Sequence, residues 1–246
     1  MFNYQIIIEY DGTNFVGWQK QKNGTSVQSA IEKILTKILK TKITIYGSGR
    51  TDSGVHAQGQ SAHFNIDYKI NNKFLFLNSV NFFLNKKKIS ILKINDKKIN
   101  FHARFSAKKR EYRYFILNRL APPSLDLNKV WHIKSSLNLK TMKKATNLLK
   151  GKKNFSTFRS SSCNAKSPIK TLDEAIVKKI GDKIVIIFKS KSFLQQQVRS
   201  MVGCLKYVGE GKWNLKKMKK IIKLKKRINC APPAPAHGLY LFKIFY

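Results

Sequence analysis

Apolar residues recur with strand-like spacing over residues 4–10 and 43–47, and between these stretches the spacing becomes helical. Val27, Ile31, Ile34, Leu35, Ile38 and Leu39 predict a helix over 26–40, behind a capping box at Thr25 and Gln28. A strand near 60–66, a helix near 73–84 and a strand near 88–94 follow. The predicted order is β-α-β-β-α-β.

The pattern then restarts. Tyr112, Tyr114 and Ile116 alternate with Arg113, Phe115 and Leu117 in a strand over 110–117. A helix near 138–150 comes next, then a hairpin over 171–189 turning at Gly181 and Asp182, helices over 192–208 and 214–226, and a last strand at 239–245. The order repeats with one extra helix, and no sequence repeat accompanies it. These signals predict an α+β chain of two ferredoxin-like halves, 1–105 and 106–246, packed side by side. An extended mixed or antiparallel sheet would leave a basic central cleft open to a large ligand.

One segment between predicted strands stands out. Residues 47–64 read GSGRTDSGVHAQGQSAHF, with Gly47, Gly49, Gly54 and Gly59 and a carboxylate, Asp52, two positions after Arg50. Glycines permit positive φ and close approach of backbone to a ligand. The loop projects from strand ends, where binding and catalytic residues concentrate. The competing reading is a plain connection in which Asp52 closes an Asx turn on its own backbone.

Composition sharpens that choice. The 246 residues include 49 Lys or Arg against 12 Asp or Glu, for a formal net charge of +37. A charge of that size calls for a polyanionic partner or a compositional cause. With 41 lysines and only 8 arginines, and with abundant Ile and Asn, part of the charge is compositional drift on a solvated face. An arginine in such a chain marks a place that needs the planar, bidentate guanidinium. Apolar runs such as 184–188 are too short to span a bilayer, and the sequence enters a strand pattern at Tyr4 without a targeting segment. Cys163, Cys204 and Cys230 lack CxxC spacing, which fits reduced thiols and a cytoplasmic location. The five histidines show no metal-ligand spacing, so no metal is expected.

Six segments carry a family resemblance: GRTDSGVHA (49–57), YDGTNFVGWQKQ (10–21), SVQSAIEKIL (26–35), FHARFSAKKREYRYFILN (101–118), FSTFR (155–159) and FLQQQVRSMVGCL (193–205). Taken in chain order, they resemble the tRNA pseudouridine synthase A family, over essentially the whole chain. The resemblance implies an isomerase acting on the anticodon arm of tRNA at uridines 38 to 40, as a homodimer. It implies Asp52 as the catalytic carboxylate, Tyr112 against the target base, and Arg199 pairing with the carboxylate, with Arg50 in the loop itself as a second residue holding it charged. The family's His-His-Met before that arginine is replaced here by Gln195, Gln196 and Gln197, and Asn85 stands where the family has proline.

The chemistry agrees with the residues. Uridine becomes pseudouridine when the N1–C1′ bond breaks, the base turns over, and a C5–C1′ bond forms. There is no net redox change or hydrolysis, so no cofactor is expected. An ionised carboxylate beside the sugar and base is required. Burial would raise the pKa of Asp52 and a guanidinium would oppose the shift. Tyr112 suits an extruded base, because stacking contributes about 1–3 kcal/mol per base. The chemistry needs no imidazole, so His56 and His63 read as hydrogen-bonded structural residues. Lys86 to Lys88, Lys108 to Arg110, Lys150 to Lys153 and Lys216 to Arg227 are candidate phosphate contacts. Two other readings stand beside this one. A non-catalytic RNA-binding protein leaves the loop acid unexplained, and a nuclease or base-excising hydrolase calls for clustered acids or a second carboxylate. Asp11 is the only candidate for the latter. Attack by the aspartate at C6, attack at C1′, and proton removal at C2′ all remain open.

Overall fold

The computed structural model describes residues 1–246 and is a mixed α+β structure of ten strands and five α-helices. The chain divides into two compact units, Met1–Lys108 with Tyr240–Tyr246, and Lys109–Leu239. No helix is long and apolar enough to cross a membrane.

In the first unit, β1 (Phe2–Tyr10) runs antiparallel to both β3 (His56–Ile66) and β4 (Ile89–Lys97). The short β2 (Tyr46–Gly47) pairs with β3, and β10 (Leu239–Phe245) adds parallel to β3, with Tyr240 opposite His56. Tyr4, Ile6 and Ile8 alternate to one face of β1 and are fully buried, as are Val27, Ile31 and Leu35 of α1 (Val27–Leu39) and Val80 and Leu84 of α2 (Lys73–Leu84). Each such side chain contributes about 1.5–3 kcal/mol relative to exposure. The strand expected over 43–47 shrinks to two residues, although Ile43 and Ile45 are buried as the pattern requires.

The cap of α1 differs from expectation. Ser26 is the N-cap and exchanges hydrogen bonds with Ser29, while the Thr25 carbonyl accepts the Val16 N–H. Gln28 is drawn into tertiary contacts. Its Oε1 accepts the Lys20 N–H and the Gln19 amide, and its Nε2 donates to the Ile45 carbonyl. A residue that pins two separate segments is not available to close a local box.

In the second unit, β5 (Lys109–Asn118) pairs with β9 (Lys183–Ser190), which pairs with β8 (Ile169–Ile180), which pairs with β7 (Gly151–Asn154). β6 (Trp131–Ile133) lies parallel to β5. The hairpin between β8 and β9 turns at Gly181 and Asp182 as the pattern predicts, with Gly181 at φ +55°. The helices α3 (Leu139–Asn147), α4 (Gln197–Gly209) and α5 (Leu215–Leu224) supply Met142, Met201, Leu205, Met218 and Ile221 to a core that also holds Tyr114, Ile186 and Phe188. α4 begins at Gln197 rather than near 192, because Gln196 takes a left-handed conformation (φ 59°) that cannot continue a helix toward its N-terminus.

Candidate active site

The glycine-rich loop is held by the segment that precedes α1. The Thr51 hydroxyl lies 2.8 Å from that of Tyr10, and the Thr51 carbonyl accepts the Trp18 N–H at 3.1 Å. On the other side of Asp52, the Ser53 hydroxyl donates to the Phe15 carbonyl at 3.1 Å, and the Asp52 carbonyl accepts the Val55 N–H at 3.2 Å. Two glycines allow this approach. A β-carbon on Gly12 would sit 2.1 Å from the Val55 carbonyl oxygen, and one on Gly17, at φ +110°, would sit 2.6 Å from that of Thr51. The spacing in YDGTNFVGW thus places two stretches of backbone without a β-carbon against the loop, one on each side of Asp52.

From beneath, fully buried Gln60 on β3 grips Gly49. Its Nε2 donates to the Gly49 carbonyl at 2.6 Å and its Oε1 accepts the Gly49 N–H at 3.3 Å. The Ser48 N–H donates to the Ser61 carbonyl at 2.7 Å. Asp52 is therefore half-buried on a backbone fixed at both flanks. Such fixing restricts the carboxylate's position, which is what catalysis by a single group needs.

A second cluster closes the base of the loop. His56 Nδ1 lies 3.0 Å from the Gly12 nitrogen and 3.2 Å from Asp11 Oδ1, and the ring stacks on Tyr240 at 4.7 Å. One nitrogen cannot accept from Gly12 and donate to Asp11 together, so which contact forms depends on whether Nδ1 carries the proton. Asp11 also accepts the Thr13 N–H and hydroxyl, and Lys88 Nζ lies 3.7 Å away. Burial pushes the Asp11 carboxyl up, but the Thr13 hydrogen bonds and the His56 and Lys88 charges outweigh it and hold the group below its ordinary value. Asp11 is committed to this clasp. His63, for its part, accepts the Ala103 N–H and stacks on Tyr46 at 5.2 Å. Both histidines are hydrogen-bonded parts of the framework, as their sequence context suggests.

Arg50 belongs to the loop and its side chain is exposed. Its neighbours explain this. Gly49 is fixed inward by Gln60 and Thr51 by Tyr10, which turns the intervening side chain outward.

Tyr112 and Arg199 belong to the second unit. Tyr112 sits on β5 opposite Phe188, 8% exposed, with the Phe193 ring edge-on at 5.1 Å. Tyr114, two residues on and on the same face, is fully buried and donates to the Pro235 carbonyl at 2.8 Å. Burial pushes its phenol far above the ordinary range, and the nearby Arg199 charge only partly opposes this. Arg199 is half-buried on α4, where its Nε donates to the Ala234 carbonyl at 2.8 Å and its own carbonyl accepts the Ala234 N–H at 3.0 Å. This double tie sets the guanidinium on the same face of the unit as the two tyrosines. Sequence spacing gave no sign of the 234–238 segment's part in this.

The three glutamines before Arg199 have separate fates. Gln195 is exposed, Gln196 makes the left-handed turn, and Gln197 is buried with its Oε1 accepting the Leu194 N–H at 2.8 Å. The Gln197 Nε2 has no partner, a cost of about 1–3 kcal/mol.

An α+β structure bearing a lone carboxylate on a braced glycine loop agrees with what comparison with known proteins finds. The family model described as tRNA pseudouridine synthase matches residues 6–106 and 145–246, and the chain belongs to this family of isomerases. Among the relatives it resembles those named tRNA pseudouridine synthase A. That of Pelagibacter ubique (strain HTCC1062) is 57% identical over 246 residues, covering 100% of both chains. Those of Parvibaculum lavamentivorans and Caulobacter vibrioides are each 43% identical, over 100% of this chain and 100% and 99% of theirs.

Proposed function

We propose that this protein converts uridine to pseudouridine in the anticodon arm of tRNA, at positions 38 to 40, with Asp52 as its catalytic carboxylate. The observation that carries the reading is the bracing of Thr51 and Ser53 by Tyr10, Trp18 and Phe15, which fixes the backbone of the one acid left in the GRTDSGVHA loop. A nonfunctional connection has no need of that many anchors. In the proposed reaction the N1–C1′ bond breaks, the base rotates, C5 bonds to C1′, and the proton from C5 is balanced by one gained at N1. Atoms and electrons are conserved within the nucleotide, so the chemistry calls for no cofactor.

In this reading Arg199 pairs with Asp52 and keeps it ionised, Tyr112 receives the extruded base, and exposed Arg50 adds positive potential where RNA approaches. The two halves are ferredoxin-like and frame a basic cleft, the protein works in the cytoplasm, and it acts as a homodimer on its tRNA. The test is pseudouridine mapping in tRNA incubated with purified protein and no added cofactor. Asp52→Ala and Asp52→Asn are expected to abolish product while tRNA binding persists. Undiminished modification by either variant would falsify the assignment, and binding without modification by the unaltered protein would favour an RNA-binding protein.

A further inference from the structure

The second unit contains a groove of about 360 Å³, lined by the apolar Leu148 and Ile222 and by Lys153, Asn154, Lys219, Lys223 and Lys225. Its walls come from two stretches without acid. The chain has no Asp or Glu between Asp126 and Asp173 and none after Glu210. The unit's carboxylates are engaged elsewhere. Asp126 pairs with Lys183, Asp173 with Lys109, Glu111 and Glu174 with Lys189, Asp182 with Arg119, and Glu210 with Lys206 and Lys212. The four lysines around the groove have no carboxylate partner, and their mutual repulsion works against the fold.

Drift toward lysine on a solvated face does not by itself account for four lysines lining one groove together with Leu148 and Ile222. Lys223 and Lys225 lie at the C-terminal end of α5, where positive charge complements the helix dipole. Lys153 on β7 and Lys219 in mid-helix gain nothing from it. The combination suits a sugar–phosphate backbone, with ribose over Leu148 and Ile222 and phosphate oxygens at the lysines. The groove's volume is also within the range of small-ligand sites.

We propose that this groove is an RNA phosphate-binding site separate from the one that receives the target base; this rests on the tRNA reading above. β7 is separated from β5, the strand of Tyr112, by β8 and β9, and three inter-strand steps amount to about 14 Å. A nucleotide held against Tyr112 and one held in the groove are therefore different nucleotides. The groove strengthens binding without taking part in the reaction.

The test compares Lys153→Gln/Lys219→Gln with Lys178→Gln/Lys179→Gln, two exposed lysines of β8 outside the groove. Kd for full-length tRNA is measured from about 50 to 200 mM salt, with pseudouridine formation followed in parallel. The groove variant is expected to lower the slope of log K against log salt by about 2, near one per phosphate contact. KM for tRNA should rise and kcat at saturating tRNA should hold, while the β8 pair keeps the original slope. Equal slopes for the groove variant and the unaltered protein, or equal losses in both variants, overturn the proposal. A reduced slope in a protein that forms no pseudouridine supports the groove and refutes the functional reading alone.

Discussion

Gly17→Ala is the sharpest probe of the braced loop. The new β-carbon would lie 2.6 Å from the Thr51 carbonyl oxygen, which must retreat by about 0.8 Å to reach ordinary contact at 3.4 Å. That movement also stretches the Trp18 N–H bond to the same oxygen, now 3.1 Å. Placing alanine at φ +110° costs about 1–3 kcal/mol, and weakening the hydrogen bond about 1 kcal/mol more. A total near 3 kcal/mol lowers Tm by roughly 6–12 °C for a chain of this size. If Asp52 is the catalytic carboxylate proposed above, the catalytic effect is larger in proportion, because the displaced carbonyl adjoins it and an error approaching 1 Å at a reacting group lowers rate on the order of 10²-fold. Single-turnover pseudouridine formation at a temperature where the variant remains folded reads that loss directly. Gly181→Ala is the control, since Gly181 also has positive φ, +55°, but has nothing within 4 Å of an added β-carbon. It should lose about 1–2 kcal/mol of stability and no activity. A Gly17→Ala protein with an undiminished rate, or a Gly181→Ala protein equally impaired, refutes the argument that the loop is held in register by this contact.

The Asp11 clasp predicts a pH dependence of stability. Because folding holds the Asp11 pKa below its ordinary 3.8, its stabilisation is complete above that value and is lost as pH falls through the folded pKa. Asp11→Asn should therefore be less stable near neutrality and lose less of its Tm on acidification below about pH 4, by thermal melts across pH. Identical acid limbs for the two proteins would remove the clasp. At the paired thiols, Cys204 Sγ lies 3.4 Å from Cys230 Sγ. The hydrogen bond with Cys230 and burial push the Cys204 thiol up, while the hydrogen bond from Cys204 and the Arg227 charge pull the Cys230 thiol down. Iodoacetamide should label Cys230 first, and Arg227→Ala should slow it, by peptide mass spectrometry; prior labelling of Cys204 contradicts the assignment.

Much of the architecture was legible because burial and periodicity coincide. The one-sided apolar spacing of α1, the alternation in β1 and β5, and the Gly181 turn each leave a direct mark in the sequence. β6 and β7 left none. Trp131–Ile133 is too short to show alternation, and Gly151–Asn154 is polar as befits an edge strand with lysines. The start of α4 was obscured because glutamine has ordinary helix propensity and only tertiary structure places Gln196 at positive φ. At the candidate site, the carboxylate stood out through scarcity of acids in a glycine-rich setting. Its supports did not. The Asp11–His56 contact joins residues 45 positions apart, and it depends on backbone closeness at Gly12 rather than on spacing.

The parallel pairing of β10 with β3, where Tyr240 meets His56, bears on how the protein matures on the ribosome. The strand that floors the carboxylate loop is made early, yet its outer edge is completed only by residues 239–245. A nascent chain stalled before that point has the GRTD loop but lacks the aromatic ring that backs its histidine. The outer edge of the loop's supporting strand is therefore complete only once residues 239–245 have been made, long after the loop itself.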